Sequence, residues 1–411
     1  MASIVTQLTV FDYMDIEVLG DLERLKLCLE GIDDKKLVDA MYKCRKNGRN
    51  DYPIEVMLNL TYAYKIFSHK SINSFRRELS RNSQLRAACG LHDHSPNKKH
   101  LVPTGGAFTN FFKLLNKHQT LVDEIFDKLV EEMYENIDGF GQMCAGDGKI
   151  IQSYSKNKKK EIDKADRNDD RTETDAEYTK KTYPYTDKSG KEVEKSTTYY
   201  GFRAHVICDV KTELSIAITV TKANRDEEKE MKKMLENMPK ERRAKLEYMM
   251  LDRGYDSFQM HQTVKACSAK PIIDKRDMWK DEDPTRQYKD TDIIYDQRGN
   301  VFYVELENGK IVNKPMKYKG YDKERDALRY EHKGKIYRIS CSEDRRIFTQ
   351  VARNSKKYKR LYNGRTSVER LNGRLDRDYM FEDHCIRGLK KMKLFIKLSG
   401  IIMPAMAKGH I

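Results

Sequence analysis

The sequence predicts an α/β protein, with a mixed-sheet core preceded by an all-helical region and interrupted by a small β insertion. Three observations lead there. Apolar residues recur at helical spacing as far as about residue 137. From Gly139 the period changes to short apolar strands alternating with helices. Residues 280 to about 350 then carry short Tyr/Val/Ile runs separated by turn signals.

The helical region is built from short segments with recognisable starts. Tyr52-Pro53 opens one, since proline suits the first turn, and Ile54, Met57, Leu58, Leu60, Tyr62 and Tyr64 run through it. Ser71 and Asn73 are capping candidates for the next. Thr104 can cap a third, which places Phe108, Phe111, Phe112 and Leu115 on one stripe. Such helices fit a helix-turn-helix-like module and a plain helical packing domain equally well.

In the core, residues 143–151, 200–210 and 214–220 read as strands, with Lys211-Thr212-Glu213 turning between the last two. Residues 226–236 form an acidic-then-basic helix, 247–251 a short buried strand ending at Asp252, and 270–273 another. Residues 153–198 are nearly devoid of aliphatics and crowded with Lys, Asp, Glu and Thr, which reads as an exposed or disordered loop able to order on a polyanion. In the insertion, Asp296-Gln-Arg-Gly-Asn, Glu307-Asn-Gly and His332-Lys-Gly mark turns. Helices resume near Gly364. The resulting layout is a helical region over 1–137, a core over 138–280 with its charged insert at 153–198, a β insertion over 281–350, and the rest of the core with basic helices over 351–411.

Composition narrows the function. Of 411 residues, 79 are Lys or Arg and 64 Asp or Glu, a formal charge of +15. Between Arg345 and Lys397 there are 16 basic and 5 acidic residues, or 16 − 5 = +11, so the excess is concentrated there. Such a segment suits a polyanionic partner, provided the chemistry lies in the same place. The longest apolar stretch, 394–406, contains Lys397 and falls short of the roughly 20 residues that span a bilayer. The N-terminus lacks the basic start of a signal peptide, so a cytoplasmic protein is expected. The eight cysteines contain no Cys-x-x-Cys pair and read as reduced thiols, and His92 and His94 near Cys89 make only a weak zinc candidate.

Three acids stand out from their surroundings. Asp147 lies within Gly146-Asp-Gly-Lys-Ile-Ile, where an unpaired carboxylate is costly to bury. Asp252 ends an apolar strand and is followed by Arg253-Gly-Tyr-Asp256. Glu369 sits on a helix four residues after Arg365, on the same face. Singly, each fits a cap or an ion pair. Together, two strand carboxylates and a helix carboxylate suit hard divalent cations, and two such ions can stabilise both oxygens of an in-line phosphoryl displacement.

In these motifs the chain resembles the DDE transposases of bacterial insertion sequences, in the group with a Tyr-x2-Arg-x3-Glu-x6-Lys signature. Here that signature reads Tyr362-Asn-Gly-Arg365-Thr-Ser-Val-Glu369, with Asp376 at the position of the family's Lys and Arg374 and Arg377 flanking it. Residues 77–90 are similar to the group's helical N-terminal domain, Gly201-Phe-Arg-Ala-His-Val and Thr219-Val-Thr-Lys-Ala-Asn224 to its second and third core strands, and Leu251-Asp-Arg-Gly-Tyr-Asp256 to its second-acid motif. The similarity runs from about residue 50 to 400.

The resemblance implies a ribonuclease-H-like catalytic fold with Asp147, Asp252 and Glu369 as catalytic, metal-holding acids. It implies Mg2+, with Mn2+ as substitute, and metal-dependent cleavage at the element's ends followed by strand transfer. Tyr362 and Arg365 would hold phosphate near the cleaved end, with Lys359, Arg360, Arg374 and Arg377 contributing basic contacts. Trp279, the one tryptophan, would either stack on a flipped nucleotide or pack at a domain junction. His205, on a strand, reads as a packed or DNA-facing residue rather than a metal ligand, and Asn224 and Asp256, near strand ends, are candidates for supporting positions. The partners implied are double-stranded DNA, both the element's terminal inverted repeats and its target, and further copies of the chain in a dimer or larger assembly. A DNA-binding relative without catalysis and a nuclease without strand transfer are the alternatives. A sugar-cleaving carboxylate pair gives no reason for so basic a chain.

Overall fold

The computed structural model describes residues 20–45, 52–91, 101–155, 173–186, 190, 192–276, 279–281 and 283–409. Contacts divide the chain into two units: Met1–Ile137 with Ile151–Phe202 and Gly373–Ile411, and Asp138–Ile150 with Arg203–Asn372. His92 and His94 lie outside the described residues.

Helices α1 (Asp21–Gly31), α2 (Lys35–Cys44), α3 (Ile54–Ile66), α4 (Ile72–Arg81), α5 (Ser83–Ala88), α6 (Gly105–Leu115) and α7 (Gln119–Asn136) form the N-terminal part of the first unit. Their starts follow the capping signals. Ser71 accepts from the Ser74 amide in a capping box, and Thr104 accepts from Ala107. Helix α3 is buried on all sides, which its nearly continuous apolar sequence requires.

The sheet comprises β1 (Met143–Gln152), β2 (Glu177–Thr186), β3 (Glu192–Asp209), β4 (Ser215–Lys222), β5 (Tyr248–Leu251) and β6 (Lys270–Ile273). Helices α8 (Glu227–Asn237) and α9 (Lys240–Lys245) separate β4 from β5, and α10 (Phe258–Ala266) separates β5 from β6. The strand order is β2-β3-β1-β5-β6, with β4 also on β3. β1, β5 and β6 run parallel. Asp226 caps α8, and three glutamates in its first turn complement the helix dipole.

One expectation is corrected here. Part of the charged stretch 153–198 is not loop: β2 pairs antiparallel with the first part of β3, from Glu177↔Gly201 to Thr186↔Glu192. Tyr178 and Tyr200 face each other across it, ring centroids 4.7 Å apart. Thr and Tyr favour strands, and both faces of this ribbon are largely exposed, so no apolar alternation betrays it.

The insertion follows β6. It holds β7 (Thr285–Gln287), β8 (Ile293–Asp296), β9 (Val301–Glu307) and β10 (Lys310–Pro315) in one antiparallel sheet. β11 (Lys317–Asp322), β12 (Ala327–His332) and β13 (Lys335–Ser340) form a second. The turn signals act as read. Asn308-Gly309 and Lys333-Gly334 both take positive φ at both positions, as two-residue hairpins with native twist require. The two sheets share an apolar core that includes Val301, Leu328, Tyr330, Ile339 and Phe348.

Helix α11 (Lys356–Tyr362) leads through a 3-10 turn, Asn363–Arg365, into α12 (Thr366–Arg377). The last helix, α13 (Leu389–Lys408), packs in the first unit against α1 so closely that a Cβ on Gly31 would lie 2.6 Å from the Ala405 carbonyl oxygen. Among the described residues no helix is long and apolar enough to cross a membrane.

Candidate active site

All three acids picked out in the sequence fall in the second unit. β1 and β5 are parallel neighbours in the register Met143↔Tyr248, Cys144↔Met249, Ala145↔Met250. Two residues further along each strand, this register sets Asp147 level with Asp252, on the same face and on strands about 4.8 Å apart. The glycines flanking Asp147 serve the opposite face. A Cβ on Gly146 would meet Met231, Met249 and Leu251 at 2.7–2.9 Å, and one on Gly148 would meet Glu227 Oε2 at 2.9 Å. Helix α8 therefore lies directly on the strand there, and only glycine leaves it room.

Asp252 also shapes the exit of β5. Its Oδ1 accepts from the Gly254 amide at 2.8 Å, capping the 3-10 turn Arg253–Tyr255. Asp147 has a different environment. Burial, and after it the negative charge of Asp252, push its carboxyl up to about 6; the Gly148 amide opposes the rise, Glu227 adds to it and Arg365 opposes it least.

From above the sheet, α12 brings side chains at intervals of three to four residues, which share one helical face. Asn372 donates from Nδ2 to Asp147 Oδ2 at 3.0 Å. Glu369 is ion-paired with Arg365 and half-exposed. Arg365, itself half-buried, is influenced electrostatically by both Glu369 and Asp147. The structure thus brings Asp147, Asp252 and Asn372 together, with Glu369 tied to a guanidinium between itself and the strand acids. Among the described residues, no group of three or more His, Cys, Asp or Glu is arranged to hold a metal ion.

Two observations nonetheless fit a divalent cation at this place. The donors are all oxygens, which hard cations prefer. Asn372 Oδ1 is shielded from solvent and has no hydrogen-bond donor, an acceptor left open beside two carboxylates.

Several neighbours escaped the sequence reading. Arg203 is buried and ion-paired with Glu227. Tyr255 is fully buried, its hydroxyl raised far above its ordinary value by burial and by Glu227, Asp147 and Asp252. Asn372 itself carries no charge to mark it. Glu227 had one signal, its place in the first turn of an acidic helix.

The remaining candidates are scattered. Lys359 and Tyr362 line a cleft of about 1070 Å³, together with Lys275, Arg298 and Arg353. Arg360 is exposed on α11. Arg374 and Arg377 belong to the first unit, where Arg377 is exposed and reaches back to the Gly373 carbonyl. Trp279 packs half-buried against the insertion core, edge-on to Tyr295, with the Arg286 guanidinium 4.7 Å from its ring centre. His205 is buried, bonded to Thr221 at 2.9 Å, and pushed down to about 4 by burial and Arg203. Asp256 is buried and bound to His261, Arg353 and the Arg276 amide. No role for Asn224 emerges from its contacts.

Two family models agree with the motifs. A family model described as a transposase DDE domain matches residues 165–403, more than half of the chain, and a second, described as a transposase domain, matches residues 20–103. Asp147 lies between the two matched segments, ahead of the DDE-domain match. The chain is similar, at 12% identity and a TM-score of 0.40, to a piggyBac transposase in a cryo-EM synaptic complex with hairpin DNA, over 96% of this chain and 76% of that one. No curated protein matches it.

Proposed function

The chain belongs to the DDE transposases, enzymes of DNA cleavage and strand transfer that use divalent metal ions, and within that family we propose that Asp147, Asp252 and Glu369 are its catalytic acids. The observation that carries this reading is the register of β1 and β5, which sets two carboxylates side by side on one sheet face with α12 above them. Like charges held this close call for a cation, and Mg2+ is the ion proposed, with Mn2+ able to replace it.

Asp147 and Asp252 would hold the metal, with Glu369 joining once its carboxylate leaves Arg365. A bound divalent ion supplies activation of water or a 3′-hydroxyl and stabilisation of the departing oxygen in a phosphoryl displacement. The chain's own residues do the rest. Arg365, released from Glu369, is a bidentate clamp for a backbone phosphate, and Tyr362 lies on the preceding turn to orient it. Lys359, Arg360, Arg374 and Arg377 supply further cationic contacts to DNA. The substrates proposed are the terminal inverted repeats of the chain's own element and the target duplex. Binding by a dimer or larger assembly, in the cytoplasm of a bacterium and at its nucleoid, completes the reading.

The test uses purified full-length protein, Mg2+ and a duplex carrying the flanks of its own gene, with Glu369→Gln in parallel. Metal-dependent cleavage at a defined end followed by joining, absent in the variant, is the expected result. Equal cleavage by both proteins would remove Glu369 from the reading, and cleavage without joined products would point to a nuclease.

A further inference from the structure

We propose that Asn372 is an oxygen ligand of the divalent cation, its Oδ1 joining the carboxylates of Asp147 and Asp252 as the third protein donor. This rests on the assignment of those two acids made above and adds a residue to it.

The amide has little choice of orientation. An ionised carboxylate only accepts hydrogen bonds, so the Asn372 NH2 group faces Asp147 Oδ2, at 3.0 Å. That leaves Oδ1 on the other side of the same planar group. It is shielded from solvent and receives no donor. A buried acceptor without a partner is destabilising, and native structures tolerate few. Beside two carboxylates, the complement of a bare carbonyl oxygen is a hard cation, for which amide carbonyls are ordinary ligands.

The surrounding charges support the same conclusion. Glu369 is engaged by Arg365, and no three His, Cys, Asp or Glu side chains among the described residues form a metal site. Counting Asn372, β1, the exit of β5 and α12 each supply one oxygen-bearing side chain without any change at Glu369. Asn372 lies three residues after Glu369 and seven after Arg365, so one helical face carries the guanidinium, the third acid and the amide over the strand pair. The cation is thereby held first by Asp147, Asp252 and Asn372, and Glu369 becomes available when a DNA phosphate takes Arg365.

The experiment titrates full-length protein with Mn2+ and reads the free aqueous ion by electron paramagnetic resonance, without DNA. Asn372→Ala is expected to weaken Mn2+ binding about tenfold, whereas Asn372→Asp, which keeps an oxygen at the position, binds at least as tightly as the parent. Thermal unfolding without metal verifies that both variants fold. Unchanged binding in Asn372→Ala overturns the proposal. So does an Asn372→Asp variant as weak as Asn372→Ala, because that result assigns Asn372 only the task of orienting Asp147 through its N–H. Asp147→Asn serves as the control. If it binds Mn2+ like the parent, the acids themselves are misassigned; if it loses binding while Asn372→Ala keeps it, only the present inference fails.

Discussion

Asp147 and Asp256 lie in the same unit and are both largely shielded from solvent, yet their surroundings drive them in opposite directions. Burial raises both. At Asp256 this is outweighed by the hydrogen bond from His261, the Arg353 charge and the Arg276 amide, and the carboxyl ends below its ordinary value. At Asp147 the nearest charges are more carboxylates, and the group rises to about 6. The Arg353 guanidinium that balances Asp256 also donates to the Ile273 carbonyl at 2.6 Å and to Tyr358 at 3.2 Å, fastening α11 to the end of β6. Where the protein needs a scaffold, it supplies the counter-charge itself. Beside Asp147 the guanidinium in reach, Arg365, is already paired with Glu369 and offsets the carboxylates only in part.

Catalysis should separate the two carboxylates most sharply. Asp147→Asn and Asp252→Asn should each reduce end cleavage on the order of 10³-fold or more while retaining DNA binding. Asp256→Asn should cleave whenever it is folded. A gel assay of cleaved and joined products decides, and substantial cleavage by Asp147→Asn would erase the distinction. Stability should reverse the ranking. Arg353→Met leaves Asp256 buried without its cation and should cost about 3–5 kcal/mol in urea unfolding, while a loss under 1 kcal/mol would show that the pair contributes little.

A finer test follows pH. The Asp147 carboxyl is raised in the folded chain, so ionising it opposes folding: the penalty is absent below the unfolded value near 4, grows between pH 4 and 6, and is constant above. Asp147→Asn should accordingly stabilise the metal-free protein by roughly 2–3 kcal/mol at pH 7 and by nothing at pH 3.5. Asp256 is lowered, so its contribution is present above the unfolded value and disappears as pH falls through the folded one, and Asp256→Asn should flatten the acid limb of the stability curve. The smallest effect concerns a buried cation. Lys65 is enclosed, donates to the Tyr379 carbonyl, lies 4.1 Å from the Phe381 ring centre and is pushed down to about 7 by burial. Lys65→Met should change stability by less than about 1 kcal/mol at pH 8. A large loss would reveal a requirement for the charge itself.

Much of the fold was legible because its signals are local. Ser71 and Thr104 cap the helices that follow them, and the Asn308-Gly309 and Lys333-Gly334 hairpins form where turn chemistry places them. Asp147 was conspicuous for being charged within an apolar strand, and the spacing of Arg365 and Glu369 already put them on one helical face. The β2–β3 ribbon was not legible, because a hairpin with both faces wet lacks the alternation that reveals a strand. Nor was the environment of the acids. The approach of α8 over Gly146 and Gly148, the Arg203–Glu227 pair and the Asn372 amide depend on pairings between distant segments, and an uncharged Asn gives no hint of the carboxylate it will meet.

The hydrogen bond from Asn372 to Asp147 joins residues 225 positions apart. At the usual pace of translation, roughly 5–20 residues per second, about ten to fifty seconds separate the synthesis of its two ends. During that interval the growing chain carries its N-terminal helices and Asp147 from the start and gains Asp252 about midway, but has no helix α12 to cover them. The contact can close only after residue 372 has been made. A chain that stopped before α12 would leave Asp147 without the amide that donates to it.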